Sequence, residues 1–371
     1  MAMGQGERSR AGSAGTEGAS GLAGGDLSSP APAGGQWPVA LVGLDGFYFA
    51  HAFAARLGAL PGVTAAGCCT LGLDDAEVAA NCGEVPEAFG RRYGLTMYRD
   101  LEELLATEHP RAAVVTTRPS RAGALAAALA ERGVHVFLAK PGVTTPEAAD
   151  AVRQAAARGG VCVAAGLTAR LDPLLAEAAR RVHAGEIGRP VAVRIAHQHG
   201  YLSGWPAGCW YFDPREGGPA LFLGWYVVDL AQWLTGSPVV DLQVCCGHLV
   251  DRDSPFPDFY KGVGWTASGA LLSLDVHFGV RYPWPSFDVE VLGDRGGIAT
   301  SHHSRTGRIA TASGVQPFEA GATDLEAAEL GDWLTACAAA GRRPFFDADD
   351  LVATLHGCRL FQQAAAAGAR G

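Results

Sequence analysis

From Trp37 to about residue 166, short apolar runs alternate with stretches of helical periodicity, and this alternation constrains the fold more than any other feature. Apolar runs separated by amphipathic helices are typical of βαβ units, in which helices cover both faces of a parallel sheet. The first half is therefore predicted to form a doubly wound α/β domain. The runs are 39–44, 63–70, 112–117, 134–138 and 161–166.

The segments between these runs carry residues that mark helix boundaries. Gly133 is placed to end one helix in the left-handed conformation, and Pro146 is placed in the first turn of another. The predicted helices of this half cover Phe47–Leu57, Val85–Tyr93, Leu101–Ala106, Arg121–Arg132 and Pro146–Arg158.

Beyond residue 166 the alternation gives way to strands that follow one another directly. One long helix, Ala220–Leu234, separates an early strand at Val191–His199 from the later strands. Successive strands after a βαβ half indicate an α+β domain with an open, mostly antiparallel sheet. The other predicted elements are helices at Asp172–His183, Leu325–Ala339 and Leu351–Ala366 and strand-like segments at Val239–Val250, Gly262–Phe278, Phe287–Leu292 and Ile298–Ser301.

Charge and hydropathy exclude two classes of partner. The chain carries a formal net charge of −9 and has no lysine- or arginine-rich run, so neither nucleic acid nor an anionic membrane surface is an expected partner. No apolar stretch approaches the roughly 20 residues that a membrane-spanning helix needs. Because nucleic acid and membrane are not expected partners, a small molecule is the expected ligand. The 48% of hydrophobic residues is enough to fill the cores of two domains.

The first 36 residues and the cysteines bear on the environment of the protein. Residues 1–36 are rich in Gly, Ala, Ser and Pro, and we predict a disordered tail because such a segment buries too little apolar surface. Arg8 and Arg10 have no apolar segment behind them, so a secretory signal is not expected. The nine cysteines are dispersed without a Cys-x-x-Cys pair, which favours reduced thiols in a cytoplasm.

The turn after the first apolar run has part of the pattern of a dinucleotide-binding loop. Gly43 occupies the first glycine position of G-x-G-x-x-G, but Asp45 and Tyr48 occupy the second and third. A glycine here lets the backbone approach a pyrophosphate, and the following helix N-terminus adds N–H donors. Asp45 brings a carboxylate near that phosphate unless its side chain turns away. The candidate cofactor residues of this turn are Gly43, Asp45, Gly46 and Phe47.

The ends of two further apolar runs supply other candidate cofactor contacts. The acidic residue that often binds the adenosine ribose after the second strand is missing, and Thr70 stands there instead. Thr117 and Arg118 end the third run near the expected cofactor groove, where Arg118 is a candidate phosphate contact. These features predict a Rossmann dinucleotide-binding domain over residues 37–160, followed by a second, α+β domain over residues 161–371.

Several motifs with consistent order and spacing carry a family resemblance. The first is Ala139-Lys140-Pro141, which follows the apolar run 134–138. From about residue 38 onward, the chain resembles the glucose–fructose oxidoreductase / inositol dehydrogenase / MocA family, which has Glu-Lys-Pro at this point. The other matching segments are 166–173, 185–190, 217–220 and 223–229.

The resemblance implies a Rossmann domain joined to an open-faced α/β domain, with NAD or NADP bound between them. It also implies hydride transfer at a secondary alcohol or ketone of a sugar, cyclitol or secondary metabolite, and a homo-oligomer formed through the second sheet. Lys140 and Pro141 would then lie beside the nicotinamide, with Lys140 bonded to the reacting oxygen. The family's helix motif has Asp and, four residues later, a proton-carrying His, where this chain has Phe222 and Tyr226. Tyr226 is compatible with proton transfer. At the positions of Phe222 and Ala139, however, this chain lacks the carboxylates that the family motifs have.

The residues themselves favour a catalytic pair. Lys140 follows a strand at the edge where open α/β sheets bind ligands, and partial burial there lowers a lysine pKa toward the range of an acid–base group. Tyr226 is a candidate general acid or base, and Asp229 lies on a neighbouring position of the same helix to orient it. Structural roles stay open as well: an exposed lysine, a core tyrosine and an aspartate that ties down a loop.

Histidines and aromatic residues of the second half are the candidate substrate contacts. His197 and His199 point to the same face of one strand, and His277 lies on a later strand. We expect substrate contacts here and no metal site, because two histidines on one face rarely suffice to hold a metal. Trp210 belongs to the aromatic loop 201–215, which suits the apolar face of a sugar ring or anchors the loop itself.

Three functions remain open from the sequence. The first is an NAD(P)-dependent oxidoreductase. The second is a divergent family member that performs elimination, isomerisation or cofactor-free chemistry, as the altered residues Asp45, Ala139 and Phe222 would allow. The third is a non-catalytic subunit that uses the open sheet as a partner surface. The sequence leaves open the substrate, the choice between NAD and NADP, and the direction of hydride transfer.

Overall fold

A computed structural model describes most of the chain from Gln36 onward. Phe47 and the predicted tail, apart from Gln36, lie outside the described residues. In the described part the chain forms a six-stranded sheet and an eight-stranded sheet. The described residues are 36–46, 48–166, 168–199, 210–250, 254–279, 286–339 and 341–368.

The first sheet is parallel and confirms the predicted Rossmann plan. Its strands are β1 Trp37–Val42, β2 Val63–Cys69, β3 Met97–Tyr98, β4 Ala112–Val115, β5 His135–Leu138 and β6 Val163–Ala165. Their order is β3-β2-β1-β4-β5-β6, so the connections reverse direction between β1 and β4. Ligands of open α/β sheets bind in the crevice at such a reversal, beyond the carboxyl ends of the strands. Because β6 lies after residue 160, the sheet extends past the domain end predicted from the sequence.

Helices connect these strands and cover the sheet. They are α1 Phe49–Leu57, α2 Asp75–Cys82, α3 Pro86–Tyr93, α4 Leu101–Glu108, α5 Pro119–Glu131 and α6 Pro146–Gly159. Asp74 and Glu77 form a capping box at the start of α2, a helix that the sequence analysis does not predict. Pro119 and Pro146 stand in the first turns of α5 and α6, where a missing N–H costs nothing.

The second sheet is mostly antiparallel, as predicted. Its strands are β7 Pro190–Gln198, β8 Val239–Gly247, β9 Phe259–Thr266, β10 Leu271–His277, β11 Ser286–Gly293, β12 Gly296–Ser301, β13 Thr306–Thr311 and β14 Gly314–Glu319. Their order is β14-β13-β12-β11-β7-β10-β9-β8, and only the pair of β7 and β10 is parallel within this described sheet. The single segment predicted at 262–278 is in fact the hairpin of β9 and β10, and β13 and β14 were not predicted.

The second half has six α-helices in the described residues, several of which pack on the second sheet. They are α7 Thr168–Leu171, α8 Pro173–His183, α9 Gly218–Phe222, α10 Gly224–Thr235, α11 Leu325–Ala338 and α12 Ala348–Gly368. Three residues of α11, Leu330, Trp333 and Leu334, share an apolar cluster with residues of β1 and β5. None of the described helices is long and apolar enough to cross a membrane.

The helix predicted at Ala220–Leu234 is broken at Leu223. The N–H of Tyr226 donates to the carbonyl of Leu223 at 3.3 Å and so does not bond the carbonyl of Phe222, as it would in a continuous helix. The break therefore leaves the Phe222 carbonyl, at the end of α9, to another donor.

Candidate active site

A cavity of about 190 Å³ lies beyond the carboxyl ends of the first sheet, where the second sheet and its helices meet it. Its described lining comes from α1, the segments that follow β5 and β6, and from β7, α10, β11 and α11. The cavity therefore lies at the carboxyl edge of the sheet, where open α/β sheets bind ligands, next to the ends of β5 and β6. The cavity contains Lys140 and three other residues that the sequence analysis predicts as catalytic or substrate contacts. They are His197, His199 and Tyr226.

Lys140 is the buried cation of this cavity. Only 5% of its surface is exposed, and its Nζ donates to the hydroxyl of Tyr211 and to the carbonyl of Phe222, both at 3.3 Å. The second bond depends on the helix break, which frees that carbonyl. Nζ also lies 4.6 Å from the centre of the Tyr226 ring, within the range of a cation–π contact. Pro141 follows Lys140 through a cis peptide bond and is buried.

Burial changes the protonation of Lys140 and of His199 in the cavity. It lowers the pKa of the Lys140 ammonium from its usual 10.5 to about 7, and the nearby Glu329 carboxylate opposes that fall. Burial also lowers the pKa of His199 to about 3, and the charge of Lys140 adds to the effect. His199 is therefore a neutral imidazole at physiological pH, whereas Lys140 is poised to exchange a proton.

Aromatic rings form one wall of the cavity. The ring of His197 stacks on Phe287 at 4.1 Å between centroids and meets Tyr226 edge-on at 4.9 Å. His199 directly follows the end of β7, and its ring centroid lies 5.7 Å from that of His197. The two histidines line the cavity together, as their spacing predicts. This wall therefore offers a ligand both apolar ring faces and polar groups, namely imidazole nitrogens and a phenol hydroxyl.

Asp229 lies away from Tyr226, and the orienting role predicted for it has no geometric basis. Its carboxylate is fully buried and accepts from Arg170 at 2.6 and 2.9 Å and from Thr354 at 3.1 Å. Burial raises the pKa of Asp229, and Arg170 opposes the rise. The position three residues after Tyr226 thus turns the side chain toward α7 and α12, where it forms a structural ion pair.

His277 and Trp210 also lie outside the cavity, in contrast to their predicted substrate roles. In the parallel pairing of β10 with β7, His277 is opposite Gln198, so its ring points to the face of the sheet opposite to His197. There it stacks on Phe259 at 4.9 Å. Trp210 is 2% exposed and packs on Phe222 at 5.0 Å, and it does not line the described cavity.

The glycine turn after β1 is packed tightly on the end of β4. Gly43 has a φ of +102°, and a Cβ there would lie 2.6 Å from the amide nitrogen of Thr117. A Cβ on Gly46 would lie 1.8 Å from the carbonyl oxygen of Thr116. Both positions therefore require glycine for backbone packing alone, whether or not a phosphate binds.

Asp45 turns away from the front of the glycine turn. Its carboxylate is 1% exposed, accepts from Thr117 Oγ1 at 2.6 Å and lies 3.5 Å from Arg118 and 3.3 Å from Arg121. Two guanidiniums, each partly exposed, thus surround one carboxylate. The cluster carries a net positive charge, which suits an anion at the carboxyl ends of β1 and β4.

Thr70 gives a second indication that the crevice accommodates a ligand. Its side chain is 2% exposed, and its Oγ1 has no hydrogen-bond partner among the described residues. A buried hydroxyl without a partner is unusual, and this one lies at the end of β2, beside the glycine turn. The positive cluster and this hydroxyl fit a dinucleotide placed across the ends of β1, β2 and β4. Within the described ranges, no group of three or more His, Cys, Asp and Glu side chains is arranged to hold a metal ion.

Several cavity residues were not predicted from the sequence. Phe49 and Phe53 of α1, Tyr48 just before that helix, and Glu326 and Glu329 of α11 line the cavity. Glu329 is 1% exposed, which is rare for a carboxylate. The available signal was an acidic residue on the apolar side of an amphipathic helix.

A Rossmann sheet joined to an open antiparallel sheet, with a buried lysine between them, defines a dinucleotide-binding oxidoreductase architecture. Comparison with known families agrees with this class. The oxidoreductase family with an NAD-binding Rossmann fold, GFO/IDH/MocA, matches residues 39–167, and the GFO/IDH/MocA C-terminal domain matches residues 175–299. The chain belongs to the GFO/IDH/MocA family, which confirms the resemblance found in the sequence.

Individual proteins show the same relationship. The chain is 28% identical to a scyllo-inositol 2-dehydrogenase (NAD(+)) of Bacillus subtilis over 178 residues, which are 48% of this chain and 50% of that enzyme. It is 29% identical to inositol 2-dehydrogenase 2 of Saccharopolyspora erythraea over 236 residues, 61% of this chain and 64% of the enzyme. The aligned region thus spans half to somewhat under two thirds of these relatives.

A solved structure confirms the fold over nearly its full length. An oxidoreductase from Agrobacterium radiobacter, in complex with NAD+, L-tartaric acid and magnesium, superposes with a TM-score of 0.76 at 17% identity. The match covers 90% of this chain and 97% of that one.

Proposed function

We propose that this chain is an NAD(P)-dependent oxidoreductase that transfers a hydride between a nicotinamide and a secondary alcohol or ketone. The observation that carries the proposal is Lys140. Lys140 is 5% exposed, burial lowers its pKa to about 7, and its ammonium lies against the ring of Tyr226, a residue of the second half, in the same cavity. Perturbed acid–base groups that converge in a crevice mark a catalytic site more often than a structural one.

Lys140 and Tyr226 have different roles at the reacting oxygen of the substrate. Lys140 donates a hydrogen bond to that oxygen and stabilises negative charge that develops on it. In the reducing direction, the Tyr226 hydroxyl donates a proton to the same oxygen, and in the oxidising direction the proton returns. The bond to the Phe222 carbonyl and the contact with the Tyr226 ring hold the Lys140 ammonium in place for this role.

The ends of β1, β2 and β4 would hold the cofactor. Gly43, Gly46 and the α1 N-terminus form the close-approach turn, while Thr70 and Thr117 offer hydroxyl groups and Arg118 a charge for phosphate. The predicted contact at Phe47 lies outside the described residues. When bound, the nicotinamide supplies the carbon that accepts or gives the hydride.

The lining of the cavity suits a ring-shaped polyol. Phe49, Phe53 and Phe287 offer apolar faces, and two histidines and two carboxylates offer hydrogen-bond partners for hydroxyl groups. The relatives act on inositols according to their names. A sugar, a cyclitol or a secondary metabolite with such a ring is the proposed substrate.

We also propose a homo-oligomer formed through the outer face of the second sheet. Exposed apolar side chains lie there on neighbouring strands, including Val263 and Trp265 at 47% each and Leu271 at 39%. A contiguous exposed apolar surface is typical of an assembly interface. Cytoplasmic location stays a prediction from the cysteine pattern.

The proposal is tested by titrating NAD+, NADH, NADP+ and NADPH into the purified protein by calorimetry, after mass spectrometry for nucleotide retained from expression. A panel of cyclitols and sugars is then screened for a change in the absorbance of reduced nicotinamide. Binding of one dinucleotide together with turnover of a polyol is the expected result. A retained nucleotide without any absorbance change during turnover would instead favour redox-neutral chemistry, and failure of all four to bind would overturn the proposal.

A further inference from the structure

Helix α5 is capped by a residue from the second half of the chain. Arg118 stands at its N-cap, where a guanidinium can only donate and so satisfies none of the first helix N–H groups. Glu216 accepts there instead: one carboxylate oxygen bonds the amide of Ser120 at 2.9 Å, and the other bonds its hydroxyl at 2.7 Å. Glu216 is 3% exposed, and a carboxylate at a helix N-terminus also gains from the helix dipole.

Glu216 lies in the middle of a segment that supplies two hydrogen-bond acceptors to Lys140. We call this segment, residues 210–222, the strap. The Lys140 Nζ donates to the Tyr211 hydroxyl near the start of the strap and to the Phe222 carbonyl at its end, each at 3.3 Å. The rings of Tyr211 and Phe222 lie 4.3 Å apart between centroids, so the strap closes on itself and brings its two acceptors to one ammonium.

The strap is attached to both halves of the chain. On the side of the second half, Gln362 of α12 donates to the carbonyl of Gly217 at 3.2 Å. On the side of the first domain, the bonds from Ser120 to Glu216 tie the strap to α5, which packs on α6 and β5. The first domain also carries Lys140, so these bonds fix the strap relative to the lysine that it binds.

We propose that Glu216 is a positioning residue that acts through the strap: by capping α5 from the second half, it keeps the Tyr211 hydroxyl and the Phe222 carbonyl in place for Lys140. The ammonium is then held away from water and in the cavity where the reacting oxygen would bind. The catalytic meaning of this role rests on the proposed function, but the placement of the Lys140 side chain by the strap does not.

The composition of the chain makes this placement directly measurable. Lys140 and Lys261 are the two lysines of the whole sequence. Lys261 is 63% exposed and paired with Asp275 on the outer face of the second sheet, so it serves as an internal reference. Protein labelled with 13C-lysine should give two side-chain Cε signals, and a K261R variant assigns them.

The test is a pH titration of both signals in the wild type, E216A, E216Q and D100A. Burial lowers the pKa of Lys140 from 10.5 to about 7, so a released strap that admits water should raise its midpoint. We expect a rise of about one pH unit or more in E216A and a smaller rise in E216Q, which keeps an acceptor but not the charge. The Lys261 midpoint should not move.

The direction of the shift separates placement from charge. Loss of the negative charge of Glu216 alone would lower the Lys140 midpoint, because a negative charge stabilises an ammonium. A rise therefore reports that the ammonium has become exposed. The other ionisable groups that face Lys140 in the described part of the chain are kept in every variant: Tyr48, His197, His199, Tyr211, Tyr226, Glu326 and Glu329.

Asp100 is the matched control. It caps α4, its carboxylate accepting from the amide of Glu103 at 2.9 Å, and α4 contributes nothing to the described lining of the cavity. D100A thus loses a helix cap and leaves the strap in place. An unchanged or lowered Lys140 midpoint in E216A overturns the proposal, as does an equal rise in D100A. If E216A does not fold, E216Q decides in the same way against D100A.

Catalysis gives a second readout. With a dinucleotide and a polyol substrate, E216A should lose about 10- to 100-fold in turnover, as expected when a catalytic group is displaced by about an ångström. Wild-type turnover in E216A would overturn the positioning role. The titration needs neither cofactor nor substrate, so a protein that binds no dinucleotide would contradict the proposed function without deciding the result for Glu216.

Discussion

The ammonium nitrogen of Lys140 lies 4.6 Å from the centre of the Tyr226 ring, although the lysine follows a strand of the first sheet and the tyrosine lies on a helix of the second half. A second contact fixes the same two parts: the Glu216 carboxylate accepts from the amide and hydroxyl of Ser120, in the first turn of α5, at 2.9 and 2.7 Å. The cavity is thus formed by elements distant in sequence, and its geometry depends on both contacts.

Replacing Tyr226 by Phe should lower turnover about 100- to 10,000-fold, the usual range for loss of a general acid or base. The ring and its contact with Lys140 remain, so the affinity for the dinucleotide should stay within about twofold. Steady-state kinetics and calorimetry measure the two effects. Tyr98→Phe is the matched control, because Tyr98 is similarly buried but bonds Glu108, outside the cavity. Full activity of Tyr226→Phe would remove Tyr226 from the mechanism.

The lowered pKa of Lys140 makes stability depend on pH. Between pH 7 and 10.5 the unfolded chain holds a proton that the folded chain lacks, so the free energy of unfolding rises with pH in this window and is lowest below it. Lys140→Met removes this term. Its stability relative to the wild type should therefore fall by about 1.4 kcal/mol per pH unit between pH 7 and 9.5. Urea unfolding at several pH values measures the difference, and a constant difference would mean that Lys140 titrates normally.

Asp229→Asn should destabilise the protein by about 2–4 kcal/mol, because it removes the fully buried charge partner of Arg170 and leaves that guanidinium only the partly exposed carboxylate of Asp350. Activity per folded molecule should change little, since Asp229 does not reach the cavity. Asp350→Asn is the control: Asp350 bonds the same arginine at 3.2 Å but is 31% exposed, so the loss should be smaller. Urea unfolding measures the stability of the two variants, and kinetics at one temperature measure their turnover. A loss of turnover in Asp229→Asn alone would mean that Asp229 does orient Tyr226.

Arg118→Ala should weaken dinucleotide binding about tenfold, the loss of one charge-assisted hydrogen bond to phosphate. Because the contact is electrostatic, the difference from the wild type should shrink at high salt. Arg132→Ala is the control, since Arg132 pairs with Glu102 in another part of the first domain. Calorimetry at two salt concentrations measures the dinucleotide affinity of the wild type and of both variants. Equal affinities for the wild type and Arg118→Ala would mean that Arg118 does not contact the phosphates.

Sequence patterns predicted the fold well where they repeat. Alternating apolar runs gave β1, β2, β4, β5 and β6 and the antiparallel character of the second sheet. The two-residue β3 is too short to produce a pattern, and β13 and β14 are rich in glycine, threonine and polar residues. The break at Leu223 is followed by Gly224, a residue of low helix propensity that the sequence analysis did not use as a boundary.

The candidate site was predicted where a motif fixes a residue at the end of an element. Lys140 and the two cavity-lining histidines follow from strand position and alternation. The sequence did not show on which side of the second sheet His277 lies, because its face depends on the pairing register between β10 and β7, which the sequence does not encode locally. Glu329 was missed because α11 follows all strands of the second sheet in the chain, and nothing in its local sequence shows that the helix packs back on the first domain.

The central claim, that Lys140 holds the reacting oxygen, is tested most directly by comparing Lys140→Met with Lys261→Met, since these are the two lysines of the chain. Turnover of a polyol and affinity for the dinucleotide are measured in parallel for each variant. The account predicts that Lys140→Met loses at least about 100-fold in turnover while its affinity stays within a few-fold, and that Lys261→Met retains both. Wild-type turnover in Lys140→Met would contradict the account.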